Sequence, residues 1–99
     1  MKENLLQIIN YYGIKSQQRK LQEEVFELQE AIINAENNRL IGISRKPSEL
    51  AIEHIAEEIA DCCVMLKQFQ LYYGIENKQI EETMKFKIDR QLERINKEN

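Results

Sequence analysis

Residues that break helices are nearly absent from this chain. It has one proline, Pro47, and three glycines in 99 residues. Their scarcity, beside many Glu, Lys, Gln, Leu and Ile, argues against a turn-rich β architecture and points to an all-helical chain. Histidine is nearly absent too. A di-iron bundle needs Glu-x-x-His motifs from two helices, and the residue three before the lone His54 is Ala51. His54 therefore reads as a surface or rim residue. The chain also lacks a Ser-His-Asp triad, a Gly-rich phosphate loop and a zinc-type cluster. Lys and Arg form no run and the net charge is −3, which excludes a long nucleic-acid backbone as an expected partner. A small phosphate ligand stays open, because metal ions can supply the positive charge. Cys62 and Cys63 are adjacent. Helical neighbours point about 100° apart, so they are poorly placed to bridge and read as buried free thiols of a reducing compartment. No signal-peptide-like apolar run opens the chain, and no segment approaches the ~20 apolar residues of a membrane span. A cytoplasmic protein is the expectation.

What is present is the composition of one folded domain over residues 1–99, with 42% hydrophobic and 31% charged residues. A chain this short buries roughly 60–68% of its unfolded surface. Its core is modest, and self-association is the simplest way to enlarge it. Four helices fit the apolar pattern. The first runs over about 2–12, with Leu5, Leu6, Ile8 and Ile9 inward and Gly13 as its terminator. The second starts near Ser16 as N-cap and runs to about Glu36, on a stripe of Leu21, Val25, Leu28, Ile32 and Ala35. A loop is expected over Asn37–Pro47, with an apolar patch at Leu40, Ile41 and Ile43. The third helix starts at Pro47 and Ser48 and runs to about Tyr73, on Ile52, Ile55, Ile59, Cys62, Leu66, Phe69 and Tyr73. Apolar on every side from Cys62 to Leu66, it should be the central helix. The fourth, capped by Asn77, carries Ile80, Met84, Ile88, Leu92 and Ile95 inward. The string Tyr-Tyr-Gly-Ile occurs at Tyr11–Ile14 and at Tyr72–Ile75, and reads as one helix-ending solution used twice.

Two acidic clusters carry the chemistry. The first is Glu23-Glu24-Val25-Phe26-Glu27 and the second Glu58-Ile59-Ala60-Asp61. Each holds carboxylates three residues apart, on one side of a helix. On a helical wheel Glu24 lies about 60° from the centre of its stripe and Glu58 about 80° from the centre of its own, with Glu27 and Asp61 about 60° further round. Both pairs then border a buried face, and they meet across one groove if the helices pack antiparallel. Carboxylates near a core repel one another and resist desolvation, and a cation resolves both problems. An oxygen-only site suits hard cations, Mg²⁺ or Mn²⁺ above all, and such ions commonly complete their shells with substrate phosphates. Glu23 points away from the stripe, beside Glu27, either as a second group around the metals or as a base for an attacking water. Against this stands the plain alternative that Glu-rich helix faces are solvated surfaces, which suits Glu30, Glu36, Glu53 and Glu57.

These residues resemble the MazG-like all-α nucleoside triphosphate pyrophosphatase superfamily. That family's pattern is EExxE followed downstream by ExxD, read here as EEVFE at Glu23–Glu27 and EIAD at Glu58–Asp61. Gln18 and Leu21 before the first motif, and the stretch HIAEEIADCCVML from His54 to Leu66 around the second, look like the family's motif helices. The likeness covers about residues 17–74. It implies a four-helix bundle completed by oligomerisation, as a homodimer or homotetramer, and a Mg²⁺-dependent hydrolase that splits a nucleoside triphosphate into the monophosphate and pyrophosphate. Glu24, Glu27, Glu58 and Asp61 match the metal ligands, and Glu23 the further acidic position near the metals or the water. Gln18 is implied on the substrate side. In the last helix, Lys85 and Asp89 match a Lys and an Asn that lie near the phosphates, Asp89 being a departure, with Lys87, Arg90 and Arg94 as alternative phosphate contacts. The stretch between the motifs is at or beyond the long end for the family. Tyr11, Tyr12, Phe26, Tyr72 and Tyr73 either stack on the base or pack in core and interface. A helical oligomerisation module that kept the fold and lost turnover is the alternative function.

Overall fold

The computed structural model describes residues 1–40 and 47–98, the side chains of 38–40 excepted. Among the described residues it is all helical: α1 Lys2–Tyr12, α2 Ile14–Leu40, α3 Glu49–Tyr72 and α4 Asn77–Glu98, with no strand. Part of the loop expected over Asn37–Pro47 belongs to α2, which continues to Leu40. Ile41 and Ile43 of the expected apolar patch lie outside the described residues, and so does the side chain of Leu40.

Gly13 ends α1 with φ +88°, and its N–H donates to Ile9 O at 2.8 Å. The second helix begins at once with Ile14, two residues before the expected cap at Ser16. Gly74 takes φ +67° after α3, where Ile75 N donates to Gln70 O at 2.9 Å. Both Tyr-Tyr-Gly-Ile strings thus end a helix on a glycine in a conformation that L side chains rarely adopt. In each, the two rings meet edge to face, 4.9 Å apart at Tyr11–Tyr12 and 5.0 Å at Tyr72–Tyr73. Ser48 caps α3 by accepting from Ala51 N at 3.1 Å. Asn77 does not act as the expected cap. It is the first residue of α4, and its Oδ1 accepts from Gln70 Nε2 at 2.6 Å.

The first three helices pack together, with α3 against both α1 and α2. Their interior is small: Leu5 and Ile9 from α1, Ala31 and Ala35 from α2, Cys62 and Met65 from α3. The inward faces match the apolar stripes only in part: Leu21, Leu28 and Ala35 of the first stripe and Ile55, Cys62 and Phe69 of the second turn inward. On α2 the buried or half-buried positions among the described residues are Ile14, Gln17, Leu21, Glu24, Leu28, Ala31 and Ala35, while Val25 and Ile32 are exposed. On α3 they include Ala51, Ile55, Glu58, Cys62, Met65 and Gln68, while Ile52, Ile59 and Leu66, and Tyr73 just after the helix, are exposed. Both sets repeat at helical spacing. Small and polar residues thus share the inward faces with Leu21, Leu28, Ile55 and Met65, while Val25, Ile32, Ile52, Ile59 and Leu66 face away. Small side chains at a helix contact let the axes approach closely, which brings the acidic positions of α2 and α3 together.

The fourth helix stands apart. Beyond the Gln70–Asn77 hydrogen bond at its root, it packs against none of α1, α2 or α3 among the described residues. Its apolar positions Ile80, Met84, Ile88, Leu92 and Ile95, expected inward, are all exposed. The radius of gyration is 17.3 Å, against about 13 Å for a compact chain of this length.

Candidate metal centre

Glu24 comes from the middle of α2, Glu27 from one turn later, and Glu58 from α3. One carboxylate oxygen of each lies within 4.8 Å of the others. Glu24 and Glu58 are buried, at 7% and 8% exposure, and Glu27 is exposed. Both buried carboxylates sit inside the α2–α3 contact rather than at its rim, as the wheel placed them, because the helices meet through their acidic faces.

The surroundings neutralise this charge only in part. Lys20, one turn before Glu24, brings Nζ to 3.1 Å from Glu24 Oε1 and to 3.8 Å from a Glu23 oxygen. His54, one turn before Glu58, places Nδ1 3.9 Å from Glu58 Oε1. The second oxygens, Glu24 Oε2 and Glu58 Oε2, are sealed from solvent and accept no hydrogen bond. Buried acceptors of this kind are costly. Glu24 holds the Glu27 carboxyl above its ordinary pKa, with help from partial desolvation and from Glu58. The hydrogen bond with Glu24, and then its charge, hold Lys20 upward. Burial and then Glu24 push the Cys62 thiol upward.

Carboxylate oxygens gathered from two helices, two of the groups buried and each with one oxygen that has no donor, are of the type that suits a hard cation. Glu24, Glu27 and Glu58 are thus a group able to hold a metal ion. Asp61 is outside this trio. It is exposed, and with Glu23 it lines the groove that opens beside Glu24.

The remaining residues singled out from sequence are dispersed. Gln18 is exposed and lines a separate surface depression with Leu21 and Val25. Lys85, Asp89 and Arg90 are exposed on α4 and are not brought to the carboxylates within one chain. The guanidinium of Arg90 lies over the Phe86 ring, 5.7 Å from its centroid. Of the five aromatic candidates, all exposed, Tyr12 lines the groove beside Glu24. Sequence reasoning passed over Gln17 and Gln68, both buried on that groove. Their signal was available: Gln17 lies two turns before Glu24, and Gln68 two turns after Asp61.

Comparison of the chain with models of known protein families, with curated proteins and with solved structures yields no match.

Proposed function

We propose that this chain is a Mg²⁺-dependent nucleoside triphosphate pyrophosphohydrolase built as a MazG-like bundle, with Mn²⁺ able to replace Mg²⁺. The observation that carries the reading is the pair of sealed, partnerless oxygens of Glu24 and Glu58 with Glu27 beside them. Bound divalent ions would neutralise the charge of a polyphosphate and lower the pKa of a water that they hold. Glu24, Glu27 and Glu58 would hold those ions, and Asp61 on the groove wall would complete the set. Glu23, exposed on the same groove, takes the proton of the water that opens the α–β anhydride, and pyrophosphate leaves. Phosphoryl chemistry needs positioning and charge neutralisation more than a covalent nucleophile, which agrees with a site of carboxylates.

The active form is a homodimer or homotetramer. The chain exposes 8517 Å², against about 5,900 Å² for a compact monomer of its mass. That excess has the scale of an obligate interface, and α4 with the outer faces of α2 and α3 provides the apolar surface. Lys85, Asp89 and Arg90 reach a phosphate only through such an assembly, from the α4 of a neighbouring chain. The unpartnered α4 would also serve a module without turnover, but such a module has no use for sealed carboxylates.

The test is incubation with a panel of ribo- and deoxynucleoside triphosphates, with Mg²⁺ and with chelator, followed by assay of monophosphate and pyrophosphate. Turnover that chelator abolishes is expected. Absence of turnover on every nucleotide would sink the enzymatic reading.

A further inference from the structure

The groove that passes Glu24 and Asp61 has a volume of about 620 Å³ and continues between α1, α2 and α3 to Gln17 and Gln68. Ile8, Tyr12, Val64 and Met65 are among its other walls. Gln17 and Gln68 are 5% and 1% exposed. Gln17 Nε2 donates to Gln68 Oε1 at 2.7 Å, and Gln68 Nε2 is turned toward Met65 Sδ at 3.8 Å. A thioether accepts and cannot donate. The sulfur therefore fixes which way the Gln68 amide faces, and the Gln68 oxygen fixes Gln17 in turn.

That order leaves one group over. Among the described residues no hydrogen bond reaches Gln17 Oε1, and this oxygen is not sealed as those of Glu24 and Glu58 are. Gln17 Nε2 has one acceptor among the described residues, Gln68 Oε1, which leaves its second hydrogen unused there. A buried amide that only joined two helices would be cheaper as an apolar pair. Gln17 lines the groove, and an amide with an acceptor and a donor to spare has the complementarity needed for the paired donor and acceptor on the edge of a nucleobase. The apolar walls and the Tyr12 ring suit its faces.

We infer that Gln17 reads the edge of the substrate's nucleobase in this groove, with Gln68 as the positioning residue that sets its orientation. The inference rests on the hydrolase reading for the identity of the ligand. It adds that base selection is made by one chain's α1, α2 and α3, at the end of the groove away from the carboxylates.

The test has a metal-free arm and a kinetic arm. The full chain, ¹⁵N-labelled and in EDTA, is titrated to millimolar concentration with the monophosphates of adenosine, guanosine, cytidine and uridine. The side-chain amide resonances of Gln17 and Gln68 are expected to shift with one or two bases and not with the others. No shift with any nucleotide, or equal shifts with all four, overturns the inference. With Mg²⁺, kcat/KM across the four triphosphates is expected to spread by about tenfold or more. Gln17→Leu should collapse that spread through KM and leave Mn²⁺ affinity unchanged, and Gln68→Met should do the same. Gln17→Glu, which keeps an acceptor and removes the donor, should reorder the preferences and serves if the leucine variant fails to fold. A lowered melting temperature with an intact spread would make the pair a structural clamp and overturn the inference. Selective amide shifts without turnover would sink the hydrolase reading alone, and turnover with neither shift nor spread would sink the base reader alone.

Discussion

Glu24 of α2 and Glu58 of α3 face each other inside the protein, each with one oxygen that neither water nor any donor reaches. Lys20 and His54 approach only the other oxygen of each carboxylate. Packing therefore holds this pair at a cost that ligand binding can recover.

Neutralising one member should stabilise the protein without metal. We predict that Glu24→Gln or Glu58→Gln raises the melting temperature in EDTA by several degrees, the scale expected when an unfavourable buried charge worth about 1 kcal/mol is relieved. The same variants should lose turnover by at least about a hundredfold with helical circular dichroism retained. A destabilised but active Glu24→Gln protein would contradict the site.

Metal should stabilise the wild type by mass action. Mg²⁺ or Mn²⁺ at a hundred times its dissociation constant is expected to add about 2.7 kcal/mol, read as a rise in melting temperature that EDTA reverses. Asp61→Asn should reduce this gain and abolish activity. An unchanged melting curve over millimolar Mn²⁺ would remove the metal from the account.

The pH dependence of the metal-free protein follows from Glu27. Its carboxyl titrates above its ordinary value because of Glu24. The folded state then binds more protons than the unfolded state as pH rises from the ordinary carboxyl range through the folded pKa. Stability falls across that window. Lys20, also held upward by Glu24, contributes stability below its ordinary pKa that is lost as pH rises through its folded value. Chemical denaturation in EDTA from acid to neutral pH should show the Glu27 slope, and Glu27→Gln should flatten it. With saturating Mg²⁺ the trend should reverse, since cations bind the deprotonated ligands.

The exposed face of α4 predicts the assembly state. Light scattering should give a mass of two or four times 11.8 kDa. Ile88→Asp with Leu92→Asp, on the face that α4 leaves open, should yield smaller species and lose activity together with the assembly. A wild type that is monomeric at micromolar concentration would leave that face unexplained.

The helices themselves were legible in the sequence, because scarce Gly and Pro, the Ser48 cap and the terminating Gly13 and Gly74 act through local geometry. The acidic spacing was legible too, since residues three apart on a helix share a side whatever surrounds them. The direction each helix faces was legible only in part, through Leu21, Leu28 and Ala35 on α2 and Ile55, Cys62 and Phe69 on α3. The apolar stripe through Val25 and Ile32, and that through Ile52, Ile59 and Leu66, pointed to an interior within one chain, yet these residues lie outside. Hydrophobic periodicity reports that a face is to be buried and is silent on whether the chain itself buries it. Only the tertiary structure decided that α2 and α3 meet through Ala31, Ala35, Cys62 and the carboxylates, and that α4 stays apart. The reason is that approach distance and donor supply at a helix contact depend on both partners at once. The same contact converted Glu24 and Glu58 from acidic residues at a helix edge into buried carboxylates with one sealed oxygen each, and placed Gln17 and Gln68 on the groove beside them.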